Sequence, residues 1–270
     1  MSRNNPTTLA NGRLLVSRQG SLARITFSKP ERMNAMSLDM WEGLGIALAN
    51  LKEDDTVRVV ILSGAGEKAF VSGADISEFG KQRSSAEGVR AYNAISEAAD
   101  AALYEFPKPT IAEIRGYCVG GGMGLAVACD IRICSEDARL GITAAKLGLG
   151  YGYEGVRRLV DLAGPSVAAR VLYSAELFAA EDALSMGLVD IVVPRDQLAR
   201  GVGELAERMA ANAPLTLRTA KAAIRAVSRP DGEKARAEID RLVARCFASD
   251  DYAEGRRAFA EKRKPDFKGR

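Results

Sequence analysis

Residues 57–62, Val-Arg-Val-Val-Ile-Leu, form a short, almost wholly apolar run rich in β-branched side chains and closed by Ser63-Gly64. A strand with one wet face alternates apolar and polar residues. This run does not, so both of its faces must be covered. That points to a parallel sheet, whose strands are joined by crossover helices. Thr110–Ile114 is a second such run, preceded by helical character from Ser84 to Phe106 that Pro107-Lys108-Pro109 stops. Ile131–Cys134 and Arg139–Ile142 read as a further strand pair.

Upstream, Leu14–Arg18 and Leu22–Phe27 surround Gln19-Gly20 and predict a hairpin. Ser37-Leu38-Asp39 opens a helix whose apolar residues Met40, Leu44, Leu48 and Leu51 recur at helical spacing. Trp41 on that helix is expected in the core. Beyond Pro194 strand signals cease, and helices are expected over 197–211, 214–227, 233–248 and 252–262. The reading is therefore an α/β core over residues 1–200 and a helical oligomerisation region over 201–270. Lys262–Arg270 is a basic tail, expected to be solvated.

With no histidine at all, Ser-His-Asp and Cys-His catalysis, histidine metal sites and a histidine base are excluded. Acid–base work falls to carboxylates, tyrosine, lysine or water. Cys118, Cys129, Cys134 and Cys246 have no CxxC spacing and suggest reduced thiols in a cytoplasm. A net charge of +3 with interleaved signs gives no nucleic-acid footprint. No apolar run is long enough to predict a membrane span, and the first residues show no export signal.

Two glycine-bearing turns could carry chemistry. Phe70-Val71-Ser72-Gly73-Ala74-Asp75-Ile76 follows a strand; Gly116-Tyr117-Cys118-Val119-Gly120-Gly121-Gly122-Met123-Gly124 leads from a strand into a helix of small residues reaching Ala128. Helix starts leave N–H groups unpaired and carry partial positive charge. Two such turns facing each other would present N–H donors to an anionic oxygen. Taken alone, either glycine run reads equally as tight helix–sheet packing or as a phosphate loop.

These residues resemble the crotonase superfamily, the enoyl-CoA hydratases and isomerases. The resemblance runs from Arg13 to the C-terminus through Ser28-Lys29-Pro30-Glu31-Arg32-Met33-Asn34-Ala35, Phe70–Ile76, Gly116–Asp130, Ala183–Val189 and Phe259–Pro265. It implies a spiral of ββα units with a C-terminal helical trimerisation region, and a homotrimer or homohexamer. It also implies a coenzyme A thioester as substrate with no permanently bound cofactor. The family's oxyanion donors fall on Ala74 and Gly121. Its CoA contacts fall on Lys29, Ala35, Gly73, Asp75 and Ile76, with Phe259 and Lys262 supplied by a neighbouring subunit.

The chain departs from the family at the chemistry. Hydratases carry one glutamate three residues after the middle glycine, here Gly124, and another about twenty residues on, here Ala144. Neither residue can activate water or protonate carbon. Glu154, in Gly148-Leu149-Gly150-Tyr151-Gly152-Tyr153-Glu154-Gly155, could substitute if burial raised its pKa. Alternatively it occupies a helix's first turn and pairs with Arg157 or Arg158. The same loop fits G-x-G-x-x-G, but lacks the preceding strand a dinucleotide site needs. Isomerase, decarboxylase, lyase and hydrolase chemistry stay open, beside a catalytically silent CoA-binding assembly protein.

Overall fold

The computed structural model describes residues 6–78, 80, 84–229 and 231–270. Its strands fall into two sheets. β1 (Thr7–Leu9), β2 (Leu14–Gln19), β3 (Leu22–Phe27), β4 (Val59–Gly64), β6 (Thr110–Ile114), β8 (Ile131–Ser135) and β11 (Ile191–Val193) form a seven-stranded sheet in that order. β10 (Phe178–Ala179), β9 (Arg139–Gly141), β7 (Tyr117–Val119) and β5 (Ala69–Val71) form a four-stranded one. The hairpin β2–β3 is antiparallel, turning at Gly20 with φ 58°, and every pairing from β3 to β11 across the larger sheet is parallel.

The pairing of Ile131–Cys134 with Arg139–Ile142 is corrected: β8 pairs with β6 and β11, whereas β9 pairs with β7 and β10. Each ββ unit sends its first strand to the large sheet and its second to the small one. β4–β5, β6–β7 and β8–β9 thus make three turns of a spiral. Local alternation fixes a strand's burial but not which sheet it joins, which is why the pair looked like neighbours.

Helices pack on both faces. α1 (Leu38–Glu53) lies against α2 (Ala86–Tyr104). α2 is capped by the Ser85 hydroxyl accepting from the Gly88 N–H at 3.1 Å. With α3 (Gly121–Ala128) they enclose the main core, including Leu14, Phe27, Trp41, Leu62, Phe70, Leu103 and Met123. α4 (Tyr153–Ser174) kinks at Gly164-Pro165, and α5 (Ala180–Ser185) precedes β11.

The other face of β4, β6 and β8 is covered by α6 (Leu198–Ala210), whose Leu198, Val202, Ala206 and Ala210 bury against Val59, Ile61, Ile111 and Ile133. A boundary at residue 200 therefore cuts through a core helix. The separate helical region starts after α6, with α7 (Pro214–Val227), α8 (Arg236–Phe247) and α9 (Asp250–Ala260). β4, which takes up most of the apolar run 57–62, needed an apolar cover on each face, and α6 is the second cover.

Two long-range ties use charged residues whose roles the linear pattern hid. Lys108, between the two prolines, is buried and donates to the Leu51 and Asp54 carbonyls at 2.7 and 2.6 Å, satisfying the C-terminal end of α1. Burial pulls its pKa down to about 8. The basic tail is not a free end. Buried Asp251 accepts from the Lys268 and Gly269 N–H groups, Glu254 from Asp266 N–H and Arg263, and Arg58 donates to the Phe267 carbonyl.

Candidate active site

The two glycine turns meet. A Cβ on Gly120 would lie 3.6 Å from Gly73 Cα, and one on Gly121 4.0 Å from the Gly73 carbonyl carbon. Gly73 takes φ +117°, a conformation that favours glycine. A parallel bridge joins Met36 to Ala74: Met36 N–H donates to Gly73 C=O and Asp75 N–H to Met36 C=O, both at 2.8 Å. In such a bridge the central residue's own N–H points the other way, so Ala74 N–H is turned away from Met36. Gly121 is the first residue of α3, and helix geometry leaves its N–H without an intrahelical acceptor. Gly122 must be glycine, because a Cβ there would sit 2.1 Å from the Val71 carbonyl oxygen.

The first turn is held rigidly from beneath. Asn34, fully buried, donates to the Ala65 and Ala69 carbonyls and accepts from Lys29 N–H. Lys29 Nζ donates to Asp75 at 2.5 Å in a buried pair. Burial opposes the Asp75 charge, but hydrogen bonds from Lys29 and Ser77 outweigh it and hold the carboxyl at about 2. Trp41, in the core as expected, lies 3.5 Å from where a Gly121 Cβ would be and donates through Nε1 to Tyr92 Oη at 3.2 Å.

Lys29 was expected to meet CoA phosphates. In the structure its ammonium is buried and neutralised by Asp75, so it braces the turn. Ala35 and Gly73 are buried beside it, and Ile76 is exposed at the turn's end. Phe259, 88% exposed, and exposed Lys262 lie at the C-terminal end of α9.

Glu154 does not take the environment expected of a base. It sits in the first turn of α4, and its carboxylate accepts from Arg157 Nη2 at 2.8 Å and Nε at 3.1 Å. That hydrogen bonding outweighs a slight burial cost and lowers its pKa, opposite to the rise a buried base needs. The preference of helix starts for acidic residues and the i+3 spacing to Arg157 were both visible in the sequence. Ala144 opens a short 3₁₀ turn, Ala144–Leu147. That turn, not a strand, precedes Gly150–Gly155, so the dinucleotide fingerprint lacks its context.

Tyr151, in the same loop as Glu154, reaches further into the site. Its ring folds over Gly155, where a Cβ would come within 2.7 Å of Cε1, and its hydroxyl reaches α3, where a Cβ on Gly124 would lie 3.3 Å from Oη. The phenol thus stands where a side chain at 124 would begin. Nearby, Arg158 pairs with Asp100 and stacks 4.5 Å above the Tyr104 ring.

The two-sheet ββα spiral with its paired glycine turns is a crotonase fold. The chain belongs to the enoyl-CoA hydratase/isomerase family, which it matches over residues 17–270. A short-chain-enoyl-CoA hydratase of Clostridium acetobutylicum is 35% identical over 258 residues, covering 95% of this chain and 98% of the relative. A carnitinyl-CoA dehydratase of Salmonella typhi is 34% identical over 263 residues, with coverage of 95% and 98%. The crystal structure of an enoyl-CoA hydratase/carnithine racemase from Magnetospirillum magneticum superposes with a TM-score of 0.92 at 38% identity over 96% of each chain.

Proposed function

We propose that this chain is an acyl-coenzyme A enzyme that holds the thioester carbonyl oxygen on the N–H groups of Ala74 and Gly121. Its reactions run through a thioester enolate. The observation that carries this reading is the Met36–Ala74 bridge, which turns the Ala74 N–H away from Met36, near the Gly121 N–H that has no intrahelical acceptor at the start of α3. Losing one donor of such a pair costs ~10²–10³ in rate. Family membership supports an acyl-CoA substrate without a resident cofactor, with main-chain contacts near Ala35, Gly73, Asp75 and Ile76.

Two-glutamate hydration is not part of the proposal. Gly124 and Ala144 carry no carboxyl, and each missing acid–base group forfeits ~10²–10⁴-fold. Exposed apolar residues on α7–α9 support a homotrimer or dimer of trimers, with Phe259 and Lys262 reaching a neighbour's nucleotide. The free thiols suit a cytoplasmic protein.

Calorimetry with butyryl-CoA and free butyrate tests the binding, and crotonyl-CoA hydration tests the chemistry. Butyryl-CoA should bind and butyrate should not, while hydration stays very slow. Equal affinity for butyrate, or rapid hydration, overturns the reading. The absence of a carboxyl at both hydratase positions favours one alternative, a CoA-binding assembly protein, which would bind thioesters and turn none over.

A further inference from the structure

We propose that Tyr151 sets the acyl length this enzyme accepts, and that its substrates carry short acyl groups of about four carbons or fewer. This rests on the acyl-CoA reading above. Gly121 and Gly124 lie three residues apart on α3, so side-chain positions at 121 and 124 share one face of the helix. Two aromatic side chains stand on that face. Trp41 lies 3.5 Å from where a Gly121 Cβ would be, and the Tyr151 hydroxyl 3.3 Å from where a Gly124 Cβ would be. Trp41 is held by its hydrogen bond to Tyr92 Oη. Tyr151 packs against the main core, with its ring so close to Gly155 that a Cβ there would come within 2.7 Å of Cε1.

The spacing along α3 gives the length. A helix rises 1.5 Å per residue, so the phenol stands about 4.5 Å along α3 from the Gly121 donor. An acyl group held by its carbonyl oxygen on Ala74 and Gly121, and running along this face, covers that distance in roughly three or four carbons. The next methylene meets the phenol.

Polar groups around the ring oppose a longer tail as well. The Asp100–Arg158 pair is close enough for both charges to act on the phenol. Asp100 Oδ1 and Arg158 Nε are buried and have no hydrogen-bond partner among the described residues. Glu97, one turn before Asp100 on α2, is exposed, and its Oε1 lies 3.7 Å from where a Gly152 Cβ would be. An apolar tail pushed past Tyr151 would cover these polar groups without satisfying them, which offsets the gain from burying its own methylenes. The limit therefore has a steric part, the ring, and a polar part, the charged groups around it.

Calorimetry on the purified full chain with acetyl-, butyryl-, hexanoyl- and octanoyl-CoA tests this, alongside Tyr151→Phe, Tyr151→Leu and Tyr151→Ala. In an unobstructed apolar pocket each added methylene should tighten binding about 4-fold. In the wild type the rise should stop at butyryl-CoA, with hexanoyl-CoA gaining less than about 4-fold over it. Tyr151→Phe keeps the ring and should keep that limit. Tyr151→Ala should lift it, so that hexanoyl-CoA binds about 10-fold more tightly than butyryl-CoA. Tyr151→Leu retains apolar packing should the alanine variant fail to fold, and hexanoyl-CoA should again gain more than about 4-fold. A wild type that gains more than about 4-fold from butyryl- to hexanoyl-CoA, or folded Ala and Leu variants with the wild-type length profile, overturns this inference. Failure of all four thioesters to bind the wild type overturns the acyl-CoA reading itself.

Discussion

At the residue scale, identical carboxyl groups take opposite roles according to what faces them. Asp75 is buried and its charge is answered by Lys29; Glu154 is exposed and answered by Arg157. Glu154→Gln should change kcat for any thioester the enzyme turns over by less than about 2-fold, because it removes one exposed ion pair. A large loss in steady-state assays would return Glu154 to the chemistry. Asp75 has a folded pKa of about 2, below the ordinary 3.8, so its contribution is present above about pH 4. That contribution, about 2 kcal/mol, is lost as pH falls through 2. Urea unfolding measured between pH 5 and pH 2 should show this decline. Asp75→Asn should flatten it while lowering stability at pH 7, since Lys29 is then buried without its partner. The lysine and aspartate were visible in the sequence, but their pairing was not, because they lie on separate loops that only the fold brings together.

At the element scale, α7 is docked through charge more than through apolar surface. Asp130, at the entrance to β8, accepts from Thr110 N–H and Oγ1, from Lys221 Nζ at 2.7 Å and from Arg225 Nη2 at 2.9 Å. Lys221 is buried and also donates to the Lys108 carbonyl; Arg225 lies 3.7 Å over the Tyr104 ring. One carboxylate therefore joins β6, β8 and α7. Asp130→Ala leaves two cations without their counter-charge, and should cost about 3–5 kcal/mol. Amide exchange should accelerate in α7 before it does in α1 or α2; uniform exchange would show that α7 is held by other contacts. The helix itself was legible from its periodicity and from Pro214 at its first turn. Its docking residue lies in another part of the chain and gave no local signal.

Across the whole molecule, both faces of the large sheet are covered, yet α7–α9 leave apolar side chains outside. Ile224, Val227, Phe247 and Phe259 are 63, 83, 63 and 88% exposed. Exposed apolar residues on consecutive helices fit burial against another copy. Light scattering at micromolar concentration should give a trimer or a dimer of trimers, and Val227→Glu should shift it towards smaller species while circular dichroism stays unchanged. A monodisperse wild-type monomer would contradict this. Among the described residues no helix is long and apolar enough to cross a membrane.

The sequence by itself determined the parallel sheet, through an apolar run that tolerates no wet face, and both glycine turns, through residues that alone permit such backbone approach. It also determined what the site lacks: no histidine anywhere, and no carboxyl at 124 or 144. Those properties are local, carried by residue identity and short spacing. The tertiary structure alone decided which sheet each strand joined, that α6 belongs to the core, that the tail is tied down, that Glu154 turns outward, and that the Tyr151 hydroxyl meets Gly124. Each of these depends on which distant surfaces pack together, and a periodic pattern specifies that a face must be buried without naming the partner that buries it.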